Sequence, residues 1–305
     1  MKPLFLKMHR WITLIFALPL AVVIVTGLIL SFEPIATSSA VKPSTVTGEA
    51  LTAALQRHDP GDKARMIAMD HQTGAVSIIG PDARASVSLA TGEASGTPAA
   101  SSTVFRTARS LHEHLVFGAG WLVTVSTYAM LVTMVIGVLL GLPRLRNTVS
   151  GWHKGVAWFL LPLLFLSPLT GLGIVHGVSF SGPTPTDARA EAPASIREAL
   201  PVIAKSHDPS RILWVRKRGN SVLLRVLEDQ EYRIYAVTKA GTVAMPRNWS
   251  RLLHEGNGFG TAGALVNVLT SIAMMTLMGT GLFIWARRNL NRQRNRRMRK
   301  LAASS

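Results

Sequence analysis

Four of the nine histidines in this 305-residue chain lie in motifs that occur twice. Two are followed by a glycine 18 positions later, and the other two by a glycine 25 positions later. The sets are His9 with Gly27, His153 with Gly171, His112 with Gly137, and His254 with Gly279. Neutral imidazole is a common ligand of metal ions and of haem iron. Because the chain has no cysteine, thiolate-ligated clusters, Cys-based zinc sites, disulfides and covalently attached haem are excluded, which leaves histidine as the expected ligand.

These histidines stand beside long apolar runs. The chain is 48% hydrophobic and only 16% charged. A spanning helix needs about 20 apolar residues, and four runs without Asp, Glu, Lys or Arg exceed that length. They are Trp11 to Phe32, His114 to Pro143, Gly155 to Thr186 and Gly256 to Ala286. The first run also has the features of a secretory signal, with a cleavage site within 36–40, so that alternative stays open.

The net charge of +17 is distributed very unevenly. Fourteen basic residues and no acidic residue flank the runs on one side, and all 16 Asp and Glu lie on the other. The basic residues are Lys2, Lys7 and Arg10; Arg144, Arg146 and Lys154; and Arg287, Arg288, Arg292, Arg294, Arg296, Arg297, Arg299 and Lys300. Basic loops stay in the cytoplasm, so both termini and the short link are predicted to be cytoplasmic. The C-terminal run is then interpreted as a contact with anionic lipid, and no nucleic-acid partner is expected.

The two segments between the spans also repeat. Each has a helical stretch that ends in His-Asp-Pro, followed by alternating β-like stretches. The helical stretches are 50–58 and 196–207, and the β-like stretches are 66–69, 75–79, 86–89, 212–215, 221–227 and 232–238. The repeated unit is therefore a span, a small α+β segment and a second span. The remaining histidines of these segments, His58, His71 and His207, are interpreted as loop or surface residues.

The motifs around the duplicated histidines resemble those of a known family. They are Met8-His9-Arg10-Trp11, Leu111-His112-Glu113, Gly151-Trp152-His153-Lys154 and Leu253-His254-Glu255. Together with the order of the parts, they are similar to the PepSY-associated transmembrane family of bacterial inner-membrane proteins, which includes periplasm-facing ferrisiderophore reductases. The resemblance implies a four-helix haem-binding bundle with periplasmic PepSY domains, and a flavin or nicotinamide domain is not recognisable in the chain.

The expected fold is an all-α membrane bundle of four transmembrane helices, with two small periplasmic α+β (PepSY-like) domains and an internal duplication. The expected segments are 1–32, the N-terminus and first span; 33–113, the first PepSY-like domain; 114–143, the second span; 144–154, the cytoplasmic link; 155–178, the third span; 179–255, the second PepSY-like domain; 256–286, the fourth span; and 287–305, the basic tail.

A bis-histidine b-type haem needs two imidazoles on facing helices and small residues where the macrocycle lies close to the backbone. His9 pairs with His153 at the cytoplasmic side in this interpretation, and His112 pairs with His254 at the outer side. If the helices are continuous, both spacings put the histidine and its glycine on one face. We therefore expect two haem b groups, with clearance supplied by Gly27, Gly171, Gly137 and Gly279. Glycines that serve ordinary helix packing are the alternative.

Several neighbouring residues have two interpretations. His114 or His176 can replace a ligand at the outer haem. Arg109 and Arg251 are candidate partners for haem propionates, or they extend to the membrane interface. Glu113 and Glu255 follow the outer histidines and can orient an imidazole or a haem propionate partner, or they are helix N-terminal residues favoured by the macrodipole.

The sequence and the resemblance together predict a haem-dependent ferric-siderophore reductase of the bacterial inner membrane. Electrons from an unidentified donor, a quinol or a cytoplasmic flavin reductase, would cross the bilayer to a ferric siderophore or another Fe(III) chelate. The alternative is a haem-free, membrane-anchored binding or regulatory module that acts as a protease inhibitor or sensor.

Overall fold

The computed structural model describes residues 2–81, 84–95, 100–142 and 146–303. The chain divides into two compact units. The helical unit comprises Met1–Ile29, Ala108–Gly177 and Val266–Ser305, and the sheet unit comprises Leu30–Thr107 and Val178–Leu265. Arg144, one of the basic residues of the predicted link, lies outside the described residues, as does Pro143.

Helices predominate, but seven strands are also present among the described residues. The helices are α1 (Lys2–Ile15), α2 (Ala17–Ser31), α3 (Glu33–Ala40), α4 (Gly48–His58), α5 (Ala100–His114), α6 (Gly120–Leu139), α7 (Val149–Phe159), α8 (Leu161–Val175), α9 (Ile196–Ala204), α10 (Trp249–Glu255) and α11 (Gly260–Ala302). The strands are β1 (Met66–Asp70), β2 (Ala75–Ile79), β3 (Arg84–Ser88), β4 (Ile212–Arg218), β5 (Ser221–Glu228), β6 (Glu231–Thr238) and β7 (Gly241–Ala244).

Among the described residues, three helical stretches are long and apolar enough to cross a membrane. They are Ala17–Ala40, which contains α2 and α3, the helix α6, and the helix α11. The third predicted span is a broken helix instead, because α7 and α8 meet at an angle of 65°. Counting that bent pair, the described part of the chain has up to four candidate spans.

Prolines explain where the helices of the first and third predicted spans break. A proline lacks the backbone donor, and its ring clashes with the carbonyl four residues earlier. Pro162 lies in the first turn of α8, and the residue four positions earlier, Trp158, lies in the last turn of α7. Pro19 occupies the same position in the first copy, where one residue separates α1 from α2. The sharp bend puts His153 and Gly171 on differently directed helices, so they do not share a face.

The second and fourth predicted spans are preceded by breaks as well. Between α5 and α6 the backbone of Leu115 has φ of 51°, and α10 ends at Gly256 with φ of 69°. The histidine and the glycine of each 25-residue spacing therefore lie on different helices, and the expected common face is not observed. These residues are His112 on α5 with Gly137 on α6, and His254 on α10 with Gly279 on α11.

The strands form one antiparallel sheet in the order β3-β2-β1-β4-β5-β6-β7. Its two halves join where β1 pairs with β4, with Ile67 opposite Val215 and Ala68 opposite Trp214. The expected fold class, an all-α bundle with two separate small domains, is therefore wrong. An unpaired edge strand exposes backbone donors and acceptors, and pairing β1 with β4 satisfies both edges within one sheet.

Both repeated helices, α4 and α9, pack against a single core with this sheet. Ile67 and Val215, which face each other across the β1–β4 junction, are fully buried in it. The other large side chains of this core are Leu51, Leu55, Val76, Val87, Ile196, Leu200, Ile203, Ile212 and Leu224. One continuous core thus replaces the two modest cores expected from the sequence.

The residues after α3 are hydrogen-bonded to the turn before β4. A carboxylate oxygen of Asp208 accepts the amide hydrogen of Ser44 at 2.8 Å, and the hydroxyl of Ser210 accepts the amides of Thr45 and Val46, each at 2.8 Å. Burial raises the pKa of Asp208, but the amide hydrogen bonds from Ser44 and Ser210 outweigh burial and hold this pKa below its ordinary value. The ionised carboxylate therefore stabilises the join between the two halves.

Candidate functional site

Two of the duplicated histidines, His9 on α1 and His153 on α7, are held through the same ring nitrogen. The Nδ1 atom of His9 lies 3.2 Å from the carbonyl oxygen of Thr133 on α6. The Nδ1 atom of His153 lies 2.8 Å from the hydroxyl of Thr280 on α11, and that hydroxyl donates to the carbonyl of Thr276 at 2.6 Å. A carbonyl only accepts, and the Thr280 hydroxyl uses its hydrogen elsewhere, so Nδ1 carries the proton in both rings. The lone pair is then on Nε2.

His9 and His153 both belong to the helical unit, one on α1 and the other on α7. α1 packs against α6, and α11 approaches His153 with two small residues in succession, Thr280 and Gly281. A Cβ atom at Gly281 would lie 3.5 Å from Cε1 of His153. An apolar cluster of the helical unit includes Leu277 and the other side chains Leu20, Ile24, Met130, Met134, Val156, Leu160, Leu164, Ala273, Met274 and Met278.

His112, at the end of α5, is anchored through Nδ1 as well. This nitrogen lies 3.0 Å from the carbonyl oxygen of Val23 and 3.2 Å from the hydroxyl of Thr26, which donates to the carbonyl of Val22 at 2.6 Å. A Cβ atom at Gly27 would come within 3.2 Å of Cε1 of His112, so this glycine gives the imidazole room against α2. The glycine of the first span therefore lies against the histidine that precedes the second.

His254 belongs to the sheet unit, where it is half-buried near the end of α10. The carboxylate of the adjacent Glu255 accepts hydrogen bonds from Arg251 at 2.7 Å and from Arg225 at 2.8 Å. Asn257 donates to the same carboxylate at 2.6 Å. Glu255 thus has two arginine partners and one amide partner, and its ion pair with Arg251 joins residues one helical turn apart.

The corresponding residues near His112 are more loosely arranged. Arg109 and Glu113 form an ion pair with an N–O distance of 3.9 Å, and both side chains are substantially exposed. The imidazole of His114 is 62% exposed and lies 3.8 Å from the carboxylate of Glu113. His114 therefore points toward its chain neighbour, in contrast to His112, which is anchored against α2.

His176 caps the C-terminus of α8 and has a different partner. Its Nε2 atom lies 2.7 Å from the phenol oxygen of Tyr128 on α6, and both side chains are exposed. The nitrogen that would bind an iron is thus the one engaged by the phenol. This hydrogen bond distinguishes His176 from His9, His112 and His153, whose Nδ1 atoms are engaged.

The remaining glycines of the predicted haem clearance differ in their surroundings. A Cβ atom at Gly137 or at Gly279 would have no heavy atom within 4 Å among the described residues. Gly171 is half-buried in α8. Gly137 lies one turn beyond Thr133, the residue whose carbonyl holds His9, so the backbone of α6 is unobstructed one turn from that contact.

The three histidines of the sheet unit outside α10 make structural hydrogen bonds. His58 contacts the carbonyl of Gly92 at 3.0 Å and His71 contacts that of Ile212 at 2.9 Å. Burial lowers the pKa of His71, although its hydrogen bond opposes the shift. His207 lies in the loop after α9, as predicted, but its side chain is only 5% exposed and is bonded to Glu228 at 2.7 Å.

Three of the duplicated histidines are hydrogen-bonded in the way that is typical of ligating histidines. Within the described residues no three His, Asp or Glu side chains converge as a metal-ion site. Metal-ligating histidines almost always donate their second ring N–H to a carbonyl, carboxylate or hydroxyl group, which fixes the tautomer. His9, His153 and His112 have this arrangement, and the sequence had shown the histidines without showing their acceptors. Among these acceptors, Thr26 is marked in the sequence, because it belongs to a Thr-Gly-Leu motif that recurs at Thr170.

Comparison with known proteins identifies one family. A family model described as a PepSY-associated TM region matches residues 6–288. The match covers both units and all four duplicated histidines, so the resemblance drawn from the motifs is confirmed. A search of curated protein sequences finds no significant match.

Proposed function

The chain belongs to the PepSY-associated transmembrane family, and from this premise we propose that it is a b-type dihaem oxidoreductase of the bacterial inner membrane. It passes electrons across the bilayer and reduces a ferric siderophore or a similar Fe(III) chelate in the periplasm. The observation that supports haem binding is the common Nδ1 anchoring of His9, His153 and His112. Three helices supply these imidazoles, and an acceptor at Nδ1 makes Nε2 the nitrogen that carries the lone pair in each ring.

In this proposal His9 and His153 hold one haem, and His112 is a ligand of the other. Haem b supplies a one-electron iron couple whose potential depends on its axial ligands and their hydrogen bonds. The carbonyl of Thr133 and the hydroxyl of Thr280 fix the ring orientation and make the first two imidazoles stronger donors. Val156, one turn after His153, and Leu277, one turn before Thr280, belong to an apolar cluster, and a low local dielectric strengthens such electrostatic contacts.

The proposed substrate class follows from the family and from iron chemistry. Hard oxygen donors bind Fe(III) far better than Fe(II), because the smaller, more highly charged ion interacts more strongly with them. A single electron therefore weakens the chelate and releases iron. The protein's own contribution is to hold the electron carriers and to insulate them.

The proposed orientation has both termini in the cytoplasm. The basic residues of the N-terminus, the link and the tail support it through the positive-inside rule. The absence of native cysteine allows a direct test, because a single introduced thiol is the sole site for a maleimide. In intact spheroplasts, Lys239→Cys in the sheet unit is expected to react with an impermeant maleimide, whereas Ala303→Cys is expected to react only after lysis. The reverse pattern would refute the orientation.

Haem binding is tested by purifying the chain in mild detergent and recording its visible spectrum. We expect a Soret band, an α-band that sharpens with dithionite, and two haem groups per chain by pyridine haemochrome. His9→Ala and His153→Ala should each remove about one haem, and His58→Ala is the matched control because its ring is hydrogen-bonded to a loop carbonyl of the sheet unit. A chain without a Soret band would refute the redox proposal and favour the haem-free regulatory module.

A further inference from the structure

A tyrosine and a histidine form a hydrogen-bonded pair on the outer surface of the helical unit. The phenol oxygen of Tyr128 on α6 and Nε2 of His176 at the end of α8 are 2.7 Å apart, and the ring centroids are 6.1 Å apart. Tyr128 is 46% exposed, and His176 is exposed as well. The pair therefore joins two membrane-crossing elements without being covered by either.

The surroundings of this pair on α6 are apolar. The exposed side chains of α6 recur at helical spacing and form one row. The row consists of Trp121, Val125, Tyr128, Val132, Val135 and Leu139. α6 is a candidate span of which only 11% is buried within the protein, so this row faces lipid. Tyr128 is eight residues from the start of the helix, which corresponds to about 12 Å along its axis.

Polar groups on a lipid-facing surface are costly, and those found there are usually functional. A hydrogen bond that serves only to join two helices normally lies between them, with its polar atoms shielded from lipid. This pair instead presents a phenol oxygen and an imidazole to the membrane, beside an apolar row that would accommodate a hydrocarbon tail. The matching ligand is a lipid-soluble molecule with a small head group that both donates and accepts hydrogen bonds.

We propose that Tyr128 and His176 form the head-group site of a membrane quinol, which is the electron donor of the protein. The binding site stands on its own geometry, and its role as donor rests on the proposed dihaem function. Oxidation of one quinol to the quinone releases two electrons and two protons. With haem held as proposed, these electrons would be taken up one at a time, so one quinol would reduce two Fe(III) ions. The two protons would be released at the imidazole of His176, at the C-terminal end of α8.

The test uses the full chain in detergent with decylubiquinone as the probe, and it measures the dissociation constant by quenching of tryptophan fluorescence. Tyr128→Phe removes only the phenol oxygen, and His176→Gln keeps a polar side chain. Each is expected to weaken binding about tenfold, the effect of losing one hydrogen bond to the head group. Thr127→Val is the matched control, because this neighbouring hydroxyl donates to the Val123 carbonyl of its own helix.

The outcomes separate the two proposals. Absence of saturable binding to the wild-type chain, or an equal dissociation constant in Tyr128→Phe, would overturn the quinol site. Loss of a haem in His176→Gln would also overturn it, because His176 would then be an iron ligand. A haem-free wild-type chain that still binds decylubiquinone, with weaker binding in both variants, would support the site and refute the dihaem function.

Discussion

The hydroxyl of Thr280 offers a direct test of the anchoring of His153. It accepts the Nδ1 hydrogen of His153 at 2.8 Å and donates its own hydrogen to the carbonyl of Thr276. Thr280→Val removes this hydroxyl with almost no change in shape. A matched control lies one turn earlier on the same helix, where the hydroxyl of Thr276 donates to the carbonyl of Ile272 at 2.8 Å. Both variants lose a hydroxyl-to-carbonyl bond within α11, so their difference isolates the contact with His153.

The size of the effect follows from the cost of an unsatisfied donor. Leaving a buried N–H group without an acceptor costs about 1–3 kcal/mol. Since about 1.4 kcal/mol is a factor of ten in an equilibrium constant, haem affinity should fall between about fivefold and 150-fold. The backbone carbonyl of Leu277, which accepts from the Thr280 hydroxyl at 3.2 Å, lies near enough to take over part of the role of that hydroxyl. We therefore expect a loss near the lower end of this range, about tenfold.

Transfer of haem to excess apomyoglobin measures this loss through the change in the Soret band. Thr280→Val should transfer haem about ten times more readily than the wild-type chain at equilibrium, and Thr276→Val should match the wild type. His153→Ala sets the upper limit, with loss of the whole site. If Thr280→Val retains haem as the wild type does while His153→Ala loses it, the hydroxyl does not position the imidazole and the reasoning fails.

Three further predictions concern other contacts. Gly27→Val should displace the imidazole of His112, because even a Cβ atom would come within 3.2 Å of it; loss of about one haem is expected, and a full complement by pyridine haemochrome would contradict this. Ile67→Ala, at the junction with Val215, should destabilise the sheet unit by about 2–5 kcal/mol, measured by urea unfolding, and an unchanged midpoint would exclude a shared core. Asp208→Asn should lower the melting temperature at pH 7, and since a depressed pKa contributes stability that is lost as the pH falls below about 4, the difference from the wild type should shrink there. A difference that is constant with pH would show that ionisation is not involved.

The sequence predicted the spans and the separate strands because each depends on local pattern. The apolar runs exceed the bilayer thickness, and the stretch at 75–79 is a strand at the predicted residues. The join between β1 and β4 could not be predicted in this way. The alternation of apolar and polar residues predicts that Ile67 and Val215 are buried. It does not show whether they lie opposite each other in one core or belong to two separate cores.

The residue types of the candidate site could be predicted from the sequence, but their geometry could not. The duplicated motifs identify the histidines, but backbone carbonyls hold two of them, and any residue type supplies a carbonyl. Thr133 and Val23 therefore carry no signal for this role in the sequence. The bend after α7 was missed for a similar reason: Pro162 marks a weak point, yet spanning helices tolerate proline when neighbouring groups satisfy the freed backbone.

The pairing of β1 with β4 also imposes an order of events on biosynthesis. The paired residues Ile67 and Val215 are 148 positions apart in the chain. At about 5–20 residues per second, the ribosome needs about 7–30 s to supply the second strand after the first. During that interval β1 has an open edge, and α6, α7 and α8 must be synthesised before β4 exists. The sheet therefore closes late, and a delay in inserting the middle spans would leave a strand available for pairing with another nascent chain.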